Sequence, residues 1–187
     1  MIGFAAIEKQ FDETLGFLQR DLSRIRVLEP GVNYAAAALI ACACDVIAKR
    51  RGVAEADVFK NLLPPGRPYE VIGKTLYEAL RNGLVHGYDT KEIVFDGTSI
   101  GLIVAWKETP HLSVVPHCGK QCLVLNVQAL SDRLSAEIDK FRQELKQCPG
   151  ARDKFFTSCQ PDQREEVYGT EASEWRSLMT TDPRTSD

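Results

Sequence analysis

The chain has little of what marks the specialised protein classes. Histidine occurs three times in 187 residues, and methionine and tryptophan twice each. Nowhere do eighteen apolar residues follow one another, so no membrane span is expected. The opening residues, MIGFAAIEKQF, carry their first lysine at position 9 and no basic stretch before an apolar run. That is not a secretory leader pattern, and the expectation is a cytoplasmic protein. No internal repeat and no low-complexity segment is present. There is no excess of positive charge either, since the formal net charge is −3. Residues 151–187 hold 5 Lys+Arg and 8 Asp+Glu, which leaves 18 of each to residues 1–150. A broad basic platform for nucleic acid is thereby excluded. Any such contact has to be local, or built by pairing two chains.

Six cysteines are present, without the leader that would make a disulfide framework expected. Cys42 and Cys44 lie in AALIACACDVIA and read as small apolar residues. His117, Cys118 and Cys122 are close together, but tetrahedral zinc needs a fourth ligand and no second close-spaced pair supplies one. No metal and no cofactor is expected.

What is present is helical periodicity. Phe4, Ile7, Phe11, Leu15, Leu18, Leu22 and Ile25 recur at steps of three and four, which predicts one long amphipathic helix. Residues 34–51 are apolar on nearly all sides until Lys49-Arg50-Arg51, which predicts a covered, central helix closed by Gly52. The three cations suit the helix dipole or a phosphate. Asp45 interrupts the apolar face, and either pairs with a cation across the core or reaches the surface. A short helix is expected over 54–63 and a longer one over 69–86. The period then changes. EIVFDGTSIGLIVAW alternates around DGTS, the mark of a β-hairpin, and HLSVV and CLVLNV can add two strands. Phe95 and Trp106 read as packing within these strands, and His111 and His117 as loop residues. Helical spacing returns from Val127 to Leu145 and stops at Cys148-Pro149-Gly150. The expected fold is mainly α: a helical bundle over 1–150 with a small antiparallel β insertion at about 91–127. Residues 151–187 are expected to form an acidic tail or short docking helices, with Phe155, Phe156, Tyr168 and Trp175 as apolar anchors.

One stretch, LYEALRNGLVHGYDTKEI, combines Arg81, Asn82 and His86 at the end of the fourth helix. Arg81 and His86 stand about 140° apart around an ideal helix, while Asn82 and His86 share a face. Unwinding near Gly87 would bring all three together, with Tyr77 one turn earlier. Cations in a last turn are also favourable simply as caps.

LRNGLVHG resembles the motif of the HEPN superfamily, an arginine followed by a polar residue and, a few positions on, a histidine. The likeness of a helical bundle extends over residues 1–147, with 91–127 inserted, and is greatest to small stand-alone bacterial members of defence and toxin–antitoxin systems. The resemblance implies an up-and-down bundle and a metal-independent endoribonuclease acting as a homodimer, with two Arg/His motifs facing one cleft. His86 would move protons, Arg81 would clamp phosphate oxygens and Asn82 would orient either group. Lys74, Tyr77 and Lys91 would extend the contact with RNA. DNA, lacking the 2′-hydroxyl, would not be cut. An antitoxin protein is a further expected partner. The other reading is a non-catalytic scaffold or protein- or RNA-binding module of the same architecture.

Overall fold

The computed structural model describes residues 2–25, 32–66, 68–87, 89–106, 109–159 and 173, with the side chains of 85–87 and 95 outside the described set. His86, Phe95, Tyr168 and Trp175, singled out above, therefore lie outside the described side chains. The order is α1 (Phe4–Phe11), a π-helical turn (Asp12–Gly16), α2 (Phe17–Ile25), α3 (Asn33–Arg51), α4 (Glu55–Asn61) and α5 (Tyr69–Gly87). Four strands follow, β1 (Ile93–Phe95), β2 (Thr98–Ala105), β3 (Val114–His117) and β4 (Lys120–Asn126). The chain then forms α6 (Val127–Gln147) and α7 (Pro149–Ser158). It is mainly helical, with one small sheet.

α3 is the centre of the bundle. Ala36, Ala37, Ile40, Ala41, Ala43, Cys44, Ile47 and Ala48 are all buried. Their small side chains let several elements approach one axis, and α2, α4, α5, α6, α7 and β2 all pack on it. Gly52, at φ +69°, ends the helix by donating its N–H to the Ala48 carbonyl at 2.8 Å.

The expected first helix is helical over Phe4–Ile25 but not uniformly so. A π-turn at Asp12–Gly16 interrupts it, with Phe11 before the turn and Leu15 within it both buried. The turn also presents Asp12 to Arg142 of α6 at 2.6 Å.

The last turn of α3 does not wait for phosphate. Arg51 forms ion pairs with Glu137 and, at 3.1 Å, with Glu144 of α6, and lies over the Phe141 ring. Arg50 donates to the Ser158 carbonyl at the end of α7 and lies 5.9 Å from the Phe155 ring. Phe155 is fully buried, 6.0 Å from both Phe11 and Phe141. Three rings from three segments thus share one cluster, each covered by an arginine, since Arg142 lies over Phe11.

The insertion is a four-stranded sheet in the order β1-β2-β4-β3. Two tight hairpins build it. Asp96-Gly97 and Cys118-Gly119 all have positive φ, as two-residue hairpin turns of this hand require. The expectation of an antiparallel insertion is corrected at the centre. β2 and β4 run parallel, with Ile100 opposite Gln121 through Ala105 opposite Asn126. The cause is topological. β3 lies at the edge of the sheet, and β4 occupies the position between β2 and β3. There its buried Leu125 joins Leu102 and Val104 of β2 in the core.

Glu137 is only 6% exposed, and its main partner is Arg51. Removing one member of such a pair strands a charge. Arg51→Ala should lower unfolding stability by about 3 kcal/mol, read as a lower urea midpoint. The double variant Arg51→Leu/Glu137→Leu should recover most of that loss, because neither charge is then left alone.

Candidate functional site

α5 crosses α3 and α4, and this crossing assembles the site. Apolar residues at 76, 80 and 84 face the core, so positions 74, 78, 81 and 82 turn outward. Tyr77 lies between these faces. Its ring is buried 5.5 Å from Phe59 of α4, and its hydroxyl donates to Oδ1 of Asp45. Arg81, one turn later, donates its Nε–H to the other oxygen, Oδ2, at 3.1 Å. Asp45 therefore pairs with a cation, and that cation is Arg81. The guanidinium reaches across to α3 rather than back onto the last carbonyls of α5, so a simple cap does not describe it.

The electrostatics follow from this sharing. Burial and the Asp45 hydrogen bond hold the Tyr77 phenol well above its usual range, so it remains a neutral donor. The hydrogen bond to Asp45, with the carboxylate's charge, fastens the proton on Arg81 still more firmly. The ion pair uses Nε alone, and among the described residues no carboxylate engages the Nη groups. The Arg81 side chain remains 39% exposed. One edge is thus held and the other is open to a ligand, the arrangement suited to a planar anion clamp.

Arg81 lines a groove of about 520 Å³ between α4 and α5. Ala54, Glu55, Asp57, Lys60, Lys74, Tyr77, Glu78, Arg81 and Asn82 are among its lining residues. Of the residues expected at an RNA site, the structure brings Lys74, Tyr77, Arg81 and Asn82 to this one groove. The side chain of His86 lies outside the described residues, although its backbone completes the last turn of α5. Lys91 is not brought there. The chain after α5 folds back along the opposite face of the helix, where the Lys91 N–H meets the Ala79 carbonyl at 3.4 Å.

α4 adds side chains that spacing on α5 could not reveal. Lys60 pairs with Asp57 at 3.1 Å, and Lys74 with Glu78 at 3.7 Å. The second pair, four residues apart on one helix, is readable from sequence; the placing of α4 opposite Arg81 is not. Among the described residues, no three of His, Cys, Asp or Glu are placed to hold a metal ion. His117 is the exposed last residue of β3, beside exposed Cys118.

Gly83, inside the Arg–His stretch, has a definite structural reason. A Cβ there would run into the Asp89 carbonyl oxygen and lie 2.8 Å from the Lys91 nitrogen and 2.9 Å from Thr90 Cα. The returning backbone needs that space, and Thr90 ties it onward to the Leu102 carbonyl of β2 at 2.7 Å. Gly83→Ala should cost about 1–3 kcal/mol through this overpacking, measured by thermal or urea unfolding. An exposed control, Glu78→Ala, should cost far less.

Comparison with models of known families, with curated proteins and with solved structures finds no match, so the reading of this groove rests on its own residues.

Proposed function

We propose that the α4–α5 groove is half of a metal-independent endoribonuclease site of HEPN type, of the toxin or defence kind, completed by a second copy of the chain in a homodimer. The observation that supports this reading is the half-held guanidinium of Arg81. Asp45 fixes one edge of it, while the other is exposed beside Asn82, Tyr77 and Lys74.

In this reading the 2′-hydroxyl of RNA attacks the adjacent phosphorus. A base removes the hydroxyl proton as the O2′–P bond forms, and an acid protonates O5′ as the P–O5′ bond breaks. The products are a 2′,3′-cyclic phosphate and a 5′-hydroxyl end. Imidazole titrates near neutrality and serves either role, so His86 and its copy in the partner subunit divide the two proton transfers. Arg81 meets the charge that builds on the phosphate oxygens, and Asn82 orients the phosphate or the imidazole. Asp45 and Tyr77 are positioning residues, acting through Arg81. Pairing two chains doubles a positive potential that one copy has only weakly.

A second reading, a non-catalytic scaffold that holds a protein partner such as an antitoxin, draws on the charge balance of the groove. Lys60, Lys74 and Arg81 stand against Glu55, Asp57 and Glu78, and both lysines are already paired. A mixed surface of this kind suits protein as well as RNA.

Purified full-length protein should cleave single-stranded RNA, and not DNA, in the presence of a chelator. Arg81→Ala and His86→Ala should each lower the rate by 10²-fold or more. Asp45→Asn, which keeps the hydrogen-bond acceptor and loses the charge, should fall between these variants and the parent. The scaffold reading replaces this one if the parent leaves diverse RNAs intact, or if His86→Ala cuts as fast as the parent.

A further inference from the structure

Residues 109–113, which lead into β3, are fastened to the β4–α6 junction by a small set of hydrogen bonds. His111 accepts, at Nδ1, the backbone N–H of Asn126 at 3.1 Å. The side chain of the same asparagine donates to the Thr109 carbonyl at 2.7 Å. Its Oδ1 caps α6 by accepting from the N–H groups of Gln128 and Ala129 at 2.9 and 3.1 Å. Leu112 and Ser113 complete the fastening. The Leu112 N–H donates to the Val124 carbonyl at 2.8 Å, and the Val124 N–H donates to the Ser113 carbonyl at 2.9 Å.

Leu112 is held at φ +61°, a left-handed conformation that a branched L-residue adopts only at a cost. This segment is therefore strained, and hydrogen bonds to the β4–α6 junction keep it down. We propose that His111 is a proton-operated latch, and that protonation of its imidazole releases residues 109–113 from this junction.

The geometry gives the reason. With Nδ1 accepting, the proton of the neutral ring sits on Nε2, which is buried and without a partner among the described residues. A second proton can enter only at Nδ1, where it turns the acceptor into a donor facing another donor. The new charge would also stand at the positive end of the α6 dipole. Among the described residues, the charged groups around the ring are Arg133 and Asp132 of α6. Arg133 opposes a cation there, while Asp132 lines the same small pocket with Thr109, Pro110 and Gln128. Burial first, and Arg133 second, push the imidazole down from 6.5 to about 4.

The sign follows. The folded, latched state binds the proton less well than the released state. Latching is fully present above pH 6.5 and is lost progressively as pH falls from 6.5 towards 4. The latched-to-released ratio falls by up to about tenfold for each pH unit in that window.

Trp106 reports on the event, because it directly follows β2, packs partly buried against the core and has an indole N–H without a partner among the described residues. The chain has one other tryptophan, Trp175. In full-length Trp175→Phe protein, Trp106 emission should shift to the red as pH falls below 6.5, while the helical circular-dichroism signal holds. His111→Asn, which keeps an acceptor near the Nδ1 position and does not titrate, should remove the shift. A flat Trp106 emission in the parent, or a shift of equal size in His111→Asn, overturns the proposal. Should that variant not fold, a titration of the His111 ring protons by NMR in the parent decides: a pKa below 6 supports the latch, and one of 6.5 or above overturns it.

Discussion

The constraint from which the rest of this molecule follows is that α3 is apolar along most of its length and buries eight residues, with only a strip through Cys42 and Lys49 open to water. α2, α4, α5, α6 and α7, together with β2, are arranged to cover it. Its small residues make the cover close, and its last turn of cations fixes where α6 and α7 have to lie. A helix so largely covered has little room for charge before its last turn, and there α3 carries one carboxylate, Asp45. That carboxylate is partly withdrawn from water, with 32% of its side chain exposed, so partners on the neighbouring helix favour it. Tyr77 and Arg81 supply its partners. The feature of greatest chemical interest, an arginine presented in a fixed attitude at the rim of a groove, thus arises from a packing requirement.

Two clusters of opposite character bracket α3. At one end, Arg50, Arg51 and Arg142 lie over Phe155, Phe141 and Phe11, and their charges are spent on α6, α7 and the π-turn. Near its middle, the Asp45 cluster leaves one cation edge uncommitted. The difference is one of solvent access. Arg51 keeps 11% of its side-chain area exposed and works as a structural strut, whereas Arg81 retains enough to meet a ligand.

Much of this was legible in the residues. The burial of α3 follows from its lack of a polar face, and the extent of α5 from its apolar stripe and Gly87. The first hairpin follows from Asp96-Gly97, whose turn needs positive φ twice. The pairing of Asp45 with a cation was readable as one of two outcomes, because a lone carboxylate among alanines needs a partner or water. Other features were closed to pattern. Alternating strands look alike whether their neighbours run with them or against them, so the parallel β2–β4 pair could not be foreseen. Lys91 looked like an extension of the site until the backbone after α5 turned back over Gly83. α4 supplies the far wall of the groove, and no spacing along α5 encodes its position. His111, in a segment that reads as a plain loop, owes its environment to the distant start of α6.

The parallel pairing at the middle of the sheet also bears on how the chain reaches its native state. Each hairpin closes locally, through a two-residue turn, within microseconds. Their joining is different in kind. β2 and β4 can align only after the intervening residues have looped outward and doubled back, and that non-local step carries the entropy of ordering the whole connection. Assembly of the sheet therefore trails the helices. The seam between its two halves is where a destabilised variant would come apart first.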